Sequence, residues 1–255
     1  MFDSFFWEIT IISMCLGALV LATHVKLGTQ VISRGIVFID LAIAQIAGLG
    51  VLISQQHFVE ETFGDSAQLL AYGFALLGAG LIAKLAKRSA SEREAVIGTV
   101  YVCASALGVL LISSNPHGAE QFKSILNGQI LWVQWHDMLP LAVYSLGFAV
   151  ALKYKPRLLE SDAFYYIFAL LITASVQLVG IYLVFACLVF PVITFRHASK
   201  QWLKGVTMGL VAFLAAVDLS YHWDLPTGAA IVVTMAAFMV SIRLIISLLG
   251  KKRGH

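Results

Sequence analysis

The feature that most constrains this chain is a series of long apolar runs separated by short gaps. The runs fall at about 5–26, 35–56, 66–87, 94–114, 129–152, 163–198, 205–221 and 227–249. A run of about 20 apolar residues is long enough to cross a bilayer as a helix, which satisfies its backbone groups internally. Only 12% of the residues are charged, against about a quarter in soluble domains. The sequence therefore predicts an all-α, polytopic transmembrane helical bundle, with residues 1–255 forming a single domain.

The basic residues predict how the bundle sits in the membrane. Of the 17 Lys and Arg residues, all except Lys123 fall in alternate gaps, and basic residues favour the cytoplasmic side. This arrangement requires residues 163–198 to cross twice, with a break near Gln177 to Gly180. It gives about nine crossings, with the N-terminus outside and the C-terminus inside, and one or two segments that are re-entrant half-helices. Eight crossings are the alternative.

One apolar run contains two polar side chains, Asp40 and Gln45. An ionisable group inside a membrane span is costly, so Asp40 is interpreted as part of a metal translocation path. The alternative is a structural pair that hydrogen-bonds to neighbouring helices. Five residues of helix set the two side chains about 140° apart, so they need not bind one ion together. His24, near the inner end of the first run, is a further candidate ligand, with an interfacial side chain as the alternative.

Four segments resemble a known family. Residues Arg34, Phe38, Ala42, Ile43, Ala44 and Gly50 occur at the spacings of its second span, and SEREAVIGTVY (91–101), VQLVGIYLVFACLVFPVITFR (176–196) and LSYHWDLPTGAAIV (219–232) are similar to three later segments. The family is the permease subunit of bacterial zinc, manganese and iron ABC importers, the ABC-3 type, of which this chain resembles a divergent branch. Where the family has an Asp and a His four positions apart, this chain has Leu41 and Gln45. The family's ligand pair therefore does not carry over intact.

The resemblance implies a transport subunit in the bacterial inner membrane, with no enzymatic activity and no permanently bound cofactor. It implies a divalent metal ion (zinc, manganese or iron) as substrate, a separate ATPase that binds ATP, a periplasmic metal-binding protein and a homodimer. The chain lacks the GxxxxGK[ST] motif of a nucleotide-binding loop. Its short basic clusters are explained by topology, so nucleic acid is not an expected partner. The alternatives are a permease for a metal chelate, such as a siderophore or cobalamin, and a membrane scaffold that has lost ATPase coupling.

Two further groups of residues are candidates on the outer side and in the membrane. An outer vestibule that attracts cations is predicted from His57, His136, Asp218, His222 and Asp224. The alternative is that outer gaps look acidic because they lack Lys and Arg. A gate is predicted at the break in 163–198, from Gln177, Gly180 and Pro191. Gln177 is equally well explained as a partner for backbone groups freed by the break, and Pro191 is expected to break or kink its helix.

The last group concerns the ATPase. Residues 153–162, KYKPRLLESD, occupy the gap where the family has a coupling helix, and no such helix is recognisable in them. The inner loops 84–93 and 153–162 are together expected to contact the ATPase. The candidate contact residues are Arg88, Glu92, Arg93, Arg157 and Glu160.

Overall fold

The computed structural model describes residues 2–54, 69–87, 90–113 and 118–252, and in these ranges it contains ten α-helices and no strand. The helices are α1 (Phe2–Arg34), α2 (Ile39–Ser54), α3 (Leu69–Leu85), α4 (Ala90–Ile112), α5 (Gly118–Asn127), α6 (Leu139–Tyr154), α7 (Ala163–Val179), α8 (Ile181–Thr194), α9 (Gln201–Trp223) and α10 (Thr227–Lys252). Two short 3-10 helices cover Ile130–Trp132 and Pro156–Glu160. The all-α prediction is confirmed.

Nine of these helices correspond to the predicted crossings, and the tenth, α5, was not predicted. Among the described residues, four helices are long and apolar enough to span a membrane: Trp7–Arg34, Glu92–Ile112, Gln201–Trp223 and Thr227–Leu249. The pair α7 and α8 passes the same test together but is bent by 119°. Helices α2, α3 and α6 have only 16 or 17 residues, or about 25 Å of helix against about 30 Å of hydrocarbon. The count of nine crossings therefore stays a prediction.

Helix α2 lies at the centre of the bundle and packs against α3, α4 and α7. Helix α1 packs against α8 and α9, and α10 covers the same two helices. Large aromatic side chains, Phe164, Phe168 and Phe213, are fully buried in the core. Helices α4 and α10 are far less buried, because only 17% of the long apolar stretch of each lies inside the protein. Their free faces therefore contact lipid or another chain.

The long sixth run breaks at Gly180, within the stretch where the sequence predicts the break. Gly180 has a positive φ of 80°, a conformation that glycine adopts without strain. The carbonyl of Leu178, which the break leaves without its helical partner, accepts a hydrogen bond from the Gln129 backbone N–H at 3.2 Å. The side chain of Gln177 is exposed, so the backbone of Gln129 fills the role that was one explanation of Gln177.

Pro191 does not break its helix, so of the two effects that the sequence predicts, a break or a kink, only the kink stays a prediction. Helix α8 continues through Pro191 to Thr194, and the N–H of Phe195 donates to the Pro191 carbonyl at 3.2 Å. The Pro191 nitrogen cannot donate to the Cys187 carbonyl, so the helix lacks this one backbone hydrogen bond. The proline ring is accommodated by Gly205 of α9, where an added Cβ would lie 3.0 Å from the Pro191 Cβ.

Candidate functional site

A half-open cavity of about 450 Å³ lies between α2, α4, α5, α8 and α10, and we call it the α2 cavity. Its polar lining consists of Gln45, Tyr101, Ser105 and Tyr182. Its apolar lining consists of Leu41, Leu126, Ile181, Phe185, Phe190, Ala229, Val232 and Val233. Two of the helices that line the cavity, α4 and α10, have long apolar stretches of which only 17% is buried.

Leu41 and Gln45 stand on the same wall of the α2 cavity. They are four residues apart, so a helix sets them only about 40° apart around its axis. These are the two positions at which the resembled family has its Asp and His. Both therefore contribute to the cavity wall, with a leucine in place of the carboxylate and an amide in place of the imidazole.

Asp40 does not line the α2 cavity. The sequence predicted it well inside a span, but it lies in the first turn of α2, because residues 35–38 form the turn that precedes the helix. The Asp40 side chain is 1% exposed, and neither carboxylate oxygen has a hydrogen-bond partner among the described residues. The start of a helix favours a negative charge, which offsets part of the cost of burial.

His24 ties α1 to α7. Its ring is fully buried; Nδ1 lies 2.9 Å from the Val20 carbonyl oxygen and 3.0 Å from the Thr23 Oγ1, and Nε2 lies 3.0 Å from the Ser175 Oγ. Both ring nitrogens are therefore engaged within the protein. His24 therefore connects the two helices through hydrogen bonds, and no ring nitrogen is left for a metal ion.

The C-terminal end of α1 and the N-terminal ends of α4 and α7 meet at Arg34, on the side of the bundle that the sequence predicts to be the inner one. Its guanidinium donates to the carbonyls of Leu159 and Ser161 and lies over the ring of Phe164, 4.6 Å from the ring centroid. The Arg34 carbonyl in turn accepts a hydrogen bond from Arg93 Nη1 at 3.2 Å. Arg34 thus joins the 3-10 helix Pro156–Glu160 to the start of α4.

A second link joins the same two inner loops. Lys87 Nζ lies 3.2 Å from Asp162 Oδ2, and both side chains are exposed. We call this arrangement the inner junction: Arg34, Lys87, Arg93, Glu94, Leu159, Ser161 and Asp162. Of the predicted ATPase-contact residues, Glu92, Arg157 and Glu160 are exposed beside it, Arg93 is half-buried within it, and Arg88 lies outside the described residues.

Buried carboxyl groups are part of this inner region. Glu94 Oε1 accepts a hydrogen bond from the backbone N–H of Phe38 at 3.1 Å, which fixes the turn before α2. The other oxygen of Glu94, like both oxygens of Asp40, is buried without a hydrogen-bond partner among the described residues. The inner end of α2 is therefore rich in charge, whereas the cavity wall one turn further on is neutral.

The predicted outer-vestibule residues form separate exposed pairs. His136 lies 3.3 Å from Asp137, and His222 lies 3.6 Å from Asp218 one turn earlier in α9. Asp224 ends α9 with a φ of 51°, and His57 lies outside the described residues. Within the described part of the chain, no three His, Cys, Asp or Glu side chains come together in a group that could hold a metal ion.

On the side of the bundle that the sequence predicts to be the outer one, three glycines allow the ends of the cavity helices to pack closely, and we call them the glycine junction: Gly128, Gly180 and Gly228. A Cβ on Gly180 would lie 2.3 Å from the Gly128 nitrogen, and a Cβ on Gly228 would lie 2.4 Å from the Asn127 carbonyl oxygen. Each glycine is within two residues of a cavity-lining side chain. The glycine junction therefore determines how closely the outer end of the cavity can pack.

Sequence reasoning did not identify several residues of these sites. Tyr101, Ser105 and Tyr182 occur in apolar runs and give no signal by themselves. The sequence shows Arg34 only as the start of a motif. Its hydrogen bonds to two backbone carbonyls give no local signal, because these carbonyls lie more than a hundred residues away in the chain. The four-residue spacing of Leu41 and Gln45 was the one available signal for the cavity wall.

Comparisons with known proteins agree with this architecture. Residues 7–161 and 141–246 match the ABC 3 transport family. The chain is 30% identical over 232 residues to the manganese transport system membrane protein MntC of Listeria monocytogenes, covering 81% of this chain and 79% of that protein. It is 28% identical over 236 residues to the manganese import system permease protein ScaB of Streptococcus parasanguinis, covering 84% and 82%.

Solved structures give the same fold. PsaBC from Streptococcus pneumoniae in complex with Fab matches with a TM-score of 0.69 at 22% identity, over 95% of each chain. A putative metal-chelate type ABC transporter in an inward-facing conformation matches with a TM-score of 0.63 at 14% identity, over 91% of this chain and 84% of that chain. The fold is that of a helical membrane permease, and the chain belongs to the ABC 3 transport family.

Proposed function

We propose that the chain is the permease subunit of an ABC importer that brings manganese or iron across the bacterial inner membrane. The observation that carries this proposal is the family match along residues 7–246, together with a cavity at the positions where the family has its metal ligands. The names of the relatives favour manganese or iron. Zinc is a weaker candidate, because Gln45 replaces the imidazole that suits zinc.

A separate ATPase is proposed to bind at the inner junction. The chain itself has no nucleotide-binding loop motif, and the two inner loops predicted to make this contact are joined by Arg34 and by the Lys87–Asp162 pair. Exposed charges at Glu92, Arg157 and Glu160 would face the partner. The short 3-10 helix Pro156–Glu160 takes the place of a longer coupling helix in this proposal.

A second copy of the chain is proposed to close the α2 cavity. The cavity is half-open, and in two of its lining helices, α4 and α10, only 17% of the long apolar stretch is buried. In a two-fold dimer the same patch of each subunit meets its counterpart. A cysteine at Val233, which is 68% exposed, is then expected to form a disulfide between copies.

The proposed topology has the N-terminus outside and the C-terminus inside. Contacts support it, because the segments predicted on one side touch one another: residues 34–38 meet 93–94 and 159–162, and Gly128 meets Gly180 and Asn127 meets Gly228. A membrane-impermeant thiol reagent is expected to label a cysteine at His136 and to leave one at Ser199 unlabelled. The reverse pattern would contradict the topology.

Asp40 is proposed to act at the inner exit of the path, below the cavity. Its buried carboxylate has no hydrogen-bond partner among the described residues and so is costly to keep for packing alone.

The outer pairs His136–Asp137 and Asp218–His222, with Asp224, are proposed to attract cations towards a periplasmic metal-binding protein. Gly180, with Gln177 and Pro191, is proposed as the gate, supported by its contact with Gly128.

Uptake by cells lacking this chain tests the proposed function. Deletion of the gene is expected to reduce ATP-dependent uptake of ⁵⁴Mn or ⁵⁵Fe from complete medium, and the plasmid-borne gene is expected to restore it. Affinity purification of the tagged chain should also recover an ABC ATPase. Unchanged uptake of both metals together with no ATPase partner would favour the alternative of a membrane scaffold.

A further inference from the structure

Among the described residues, the α2 cavity offers no charged ligand to a metal ion. Its polar groups are the Gln45 amide and the hydroxyls of Tyr101, Ser105 and Tyr182, and its remaining lining is apolar. A bare divalent cation must exchange water for protein oxygen or nitrogen atoms, and a buried charge without compensation is expensive. Manganese and iron sites usually supply carboxylate or imidazole ligands, and neither type lines this cavity.

The lack of charge in the α2 cavity depends on which residues of α2 face it. Leu41 and Gln45 occupy the cavity wall, whereas Asp40, one residue earlier, is turned away from it and lies in the first turn of α2. A second copy related by a two-fold axis would repeat the same lining residues and add no anionic group from these positions. Positions 41 and 45 therefore supply no charge in the proposed homodimer either.

We propose that this permease passes its metal as a complex that keeps its own organic ligand. This inference rests on the proposed function and specifies the chemical form of the cargo. The cavity volume of about 450 Å³ falls within the range of about 300–1,000 Å³ that is typical of small-molecule sites. The hydroxyl and amide groups can form hydrogen bonds with polar atoms of such a ligand, and the aromatic and aliphatic walls can contact its carbon atoms.

Mn²⁺ binding by the complete transporter, followed by electron paramagnetic resonance, tests the neutral cavity. The wild type is expected to show no saturable Mn²⁺ site that depends on Gln45. The double variant Leu41→Asp with Gln45→His places both ligands on one wall and is expected to bind Mn²⁺ at least about tenfold more tightly. The matched control, Leu41→Asn with Gln45→His, has nearly the same shape without the charge and should gain much less.

Two results of this binding experiment would overturn the proposal. One is a stoichiometric Mn²⁺ site in the wild type that Gln45→Ala abolishes. The other is a charged double variant that folds, assembles with its ATPase and still gains no Mn²⁺ affinity, because positions 41 and 45 would then not share a cavity that admits the ion.

An uptake experiment separates the form of the cargo from the function itself. Cells with and without this chain are given ⁵⁴Mn²⁺, ⁵⁵Fe²⁺, ferric citrate or a ferric trihydroxamate. Uptake that depends on the chain is expected from a complexed form and to be at least about tenfold lower from the bare ions. Equal or greater uptake of a bare ion would contradict the proposed cargo form alone, whereas no dependence on the chain in any form would contradict the proposed function.

Discussion

The two faces of the first turns of α2 have opposite chemistry. On one side, the inner junction gathers Arg34, Arg93 and Glu94, and Asp40 is buried nearby. On the other side, Leu41 and Gln45 present a neutral wall to the α2 cavity. Neighbouring residues in the sequence, Asp40 and Leu41, thus belong to different regions. The difference indicates that charge serves the contact between loops, whereas the cavity is kept free of it.

Physical costs explain this division. At the inner junction Arg34 donates to two backbone carbonyls, and the Lys87–Asp162 pair is exposed, so the desolvation of that pair is small. An unpaired charge within the half-open cavity would be more costly in the membrane. The structure therefore has hydrogen bonds to backbone carbonyls at the inner junction and neutral groups in the wall of the α2 cavity, which is the path of the cargo in our proposal.

The largest effect is expected from Gly180→Val. This change disrupts the close packing of the glycine junction at the outer end of the cavity and does not alter the inner junction. Its Cβ would collide with the Gly128 backbone, and a β-branched residue at a φ of 80° is strained. We expect a loss of about 3 kcal/mol or more in stability and no uptake, measured by thermal unfolding in detergent and by radiolabelled metal. Gly147→Val is the control, since an added Cβ there meets nothing within 4 Å. Equal behaviour of the two variants would contradict the glycine junction.

Arg34→Lys is expected to weaken the inner junction and leave the cavity unchanged. Lysine keeps the charge but loses the planar guanidinium that reaches two carbonyls and lies over Phe164. A loss of about 1.5 kcal/mol at this contact corresponds to about a tenfold fall in uptake. Uptake and recovery of the ATPase are the measurements. Arg243→Lys is the control, because its guanidinium makes one long hydrogen bond of 3.4 Å at an exposed site. Normal ATPase recovery and uptake in Arg34→Lys would remove Arg34 from the coupling proposal.

Asp40→Asn tests whether Asp40 belongs functionally to the inner junction or to the path through the α2 cavity. The change removes the charge and keeps the size, so the protein should insert and unfold at an unchanged or higher temperature. If Asp40 acts at the exit of the path, uptake should fall several-fold while ATPase recovery stays normal. Glu94→Met is the companion variant, and because it removes the oxygen that accepts the Phe38 hydrogen bond, it should lower stability instead. Normal uptake by Asp40→Asn would make Asp40 structural.

The smallest functional effect is expected from His24→Phe. The variant loses the buried contact with Ser175 and should destabilise the protein by about 1–3 kcal/mol, seen in thermal unfolding. Uptake per folded molecule should be unchanged, because both ring nitrogens serve the fold. A double-mutant cycle with Ser175→Ala isolates the pair. A change in metal preference without loss of stability would show that His24 is a ligand after all.

The sequence predicts the helices well because membrane spans need long apolar runs. It also locates the break at Gly180, since the sixth run is too long for one crossing. It misses α5, a short helix with no such run. It misplaces Asp40, because apolar residues of the turn at 35–38 read as part of a span. The inner junction depends on carbonyls far along the chain, and no local pattern encodes such contacts.

Thiol accessibility at positions 40 and 45 tests the division between the two regions most directly. Cysteines are placed singly at Gln45 and Asp40 after Cys15 and Cys103, the exposed native cysteines, are changed to serine; Cys187 is buried. A small water-soluble thiol reagent is applied to the assembled transporter during uptake. We predict that the cysteine at 45 reacts and that its modification stops uptake, whereas the cysteine at 40, outside the cavity at a position that is 1% exposed, reacts more slowly. A reactive cysteine at 40 with an inert one at 45 would contradict the assignment of the α2 cavity as the path.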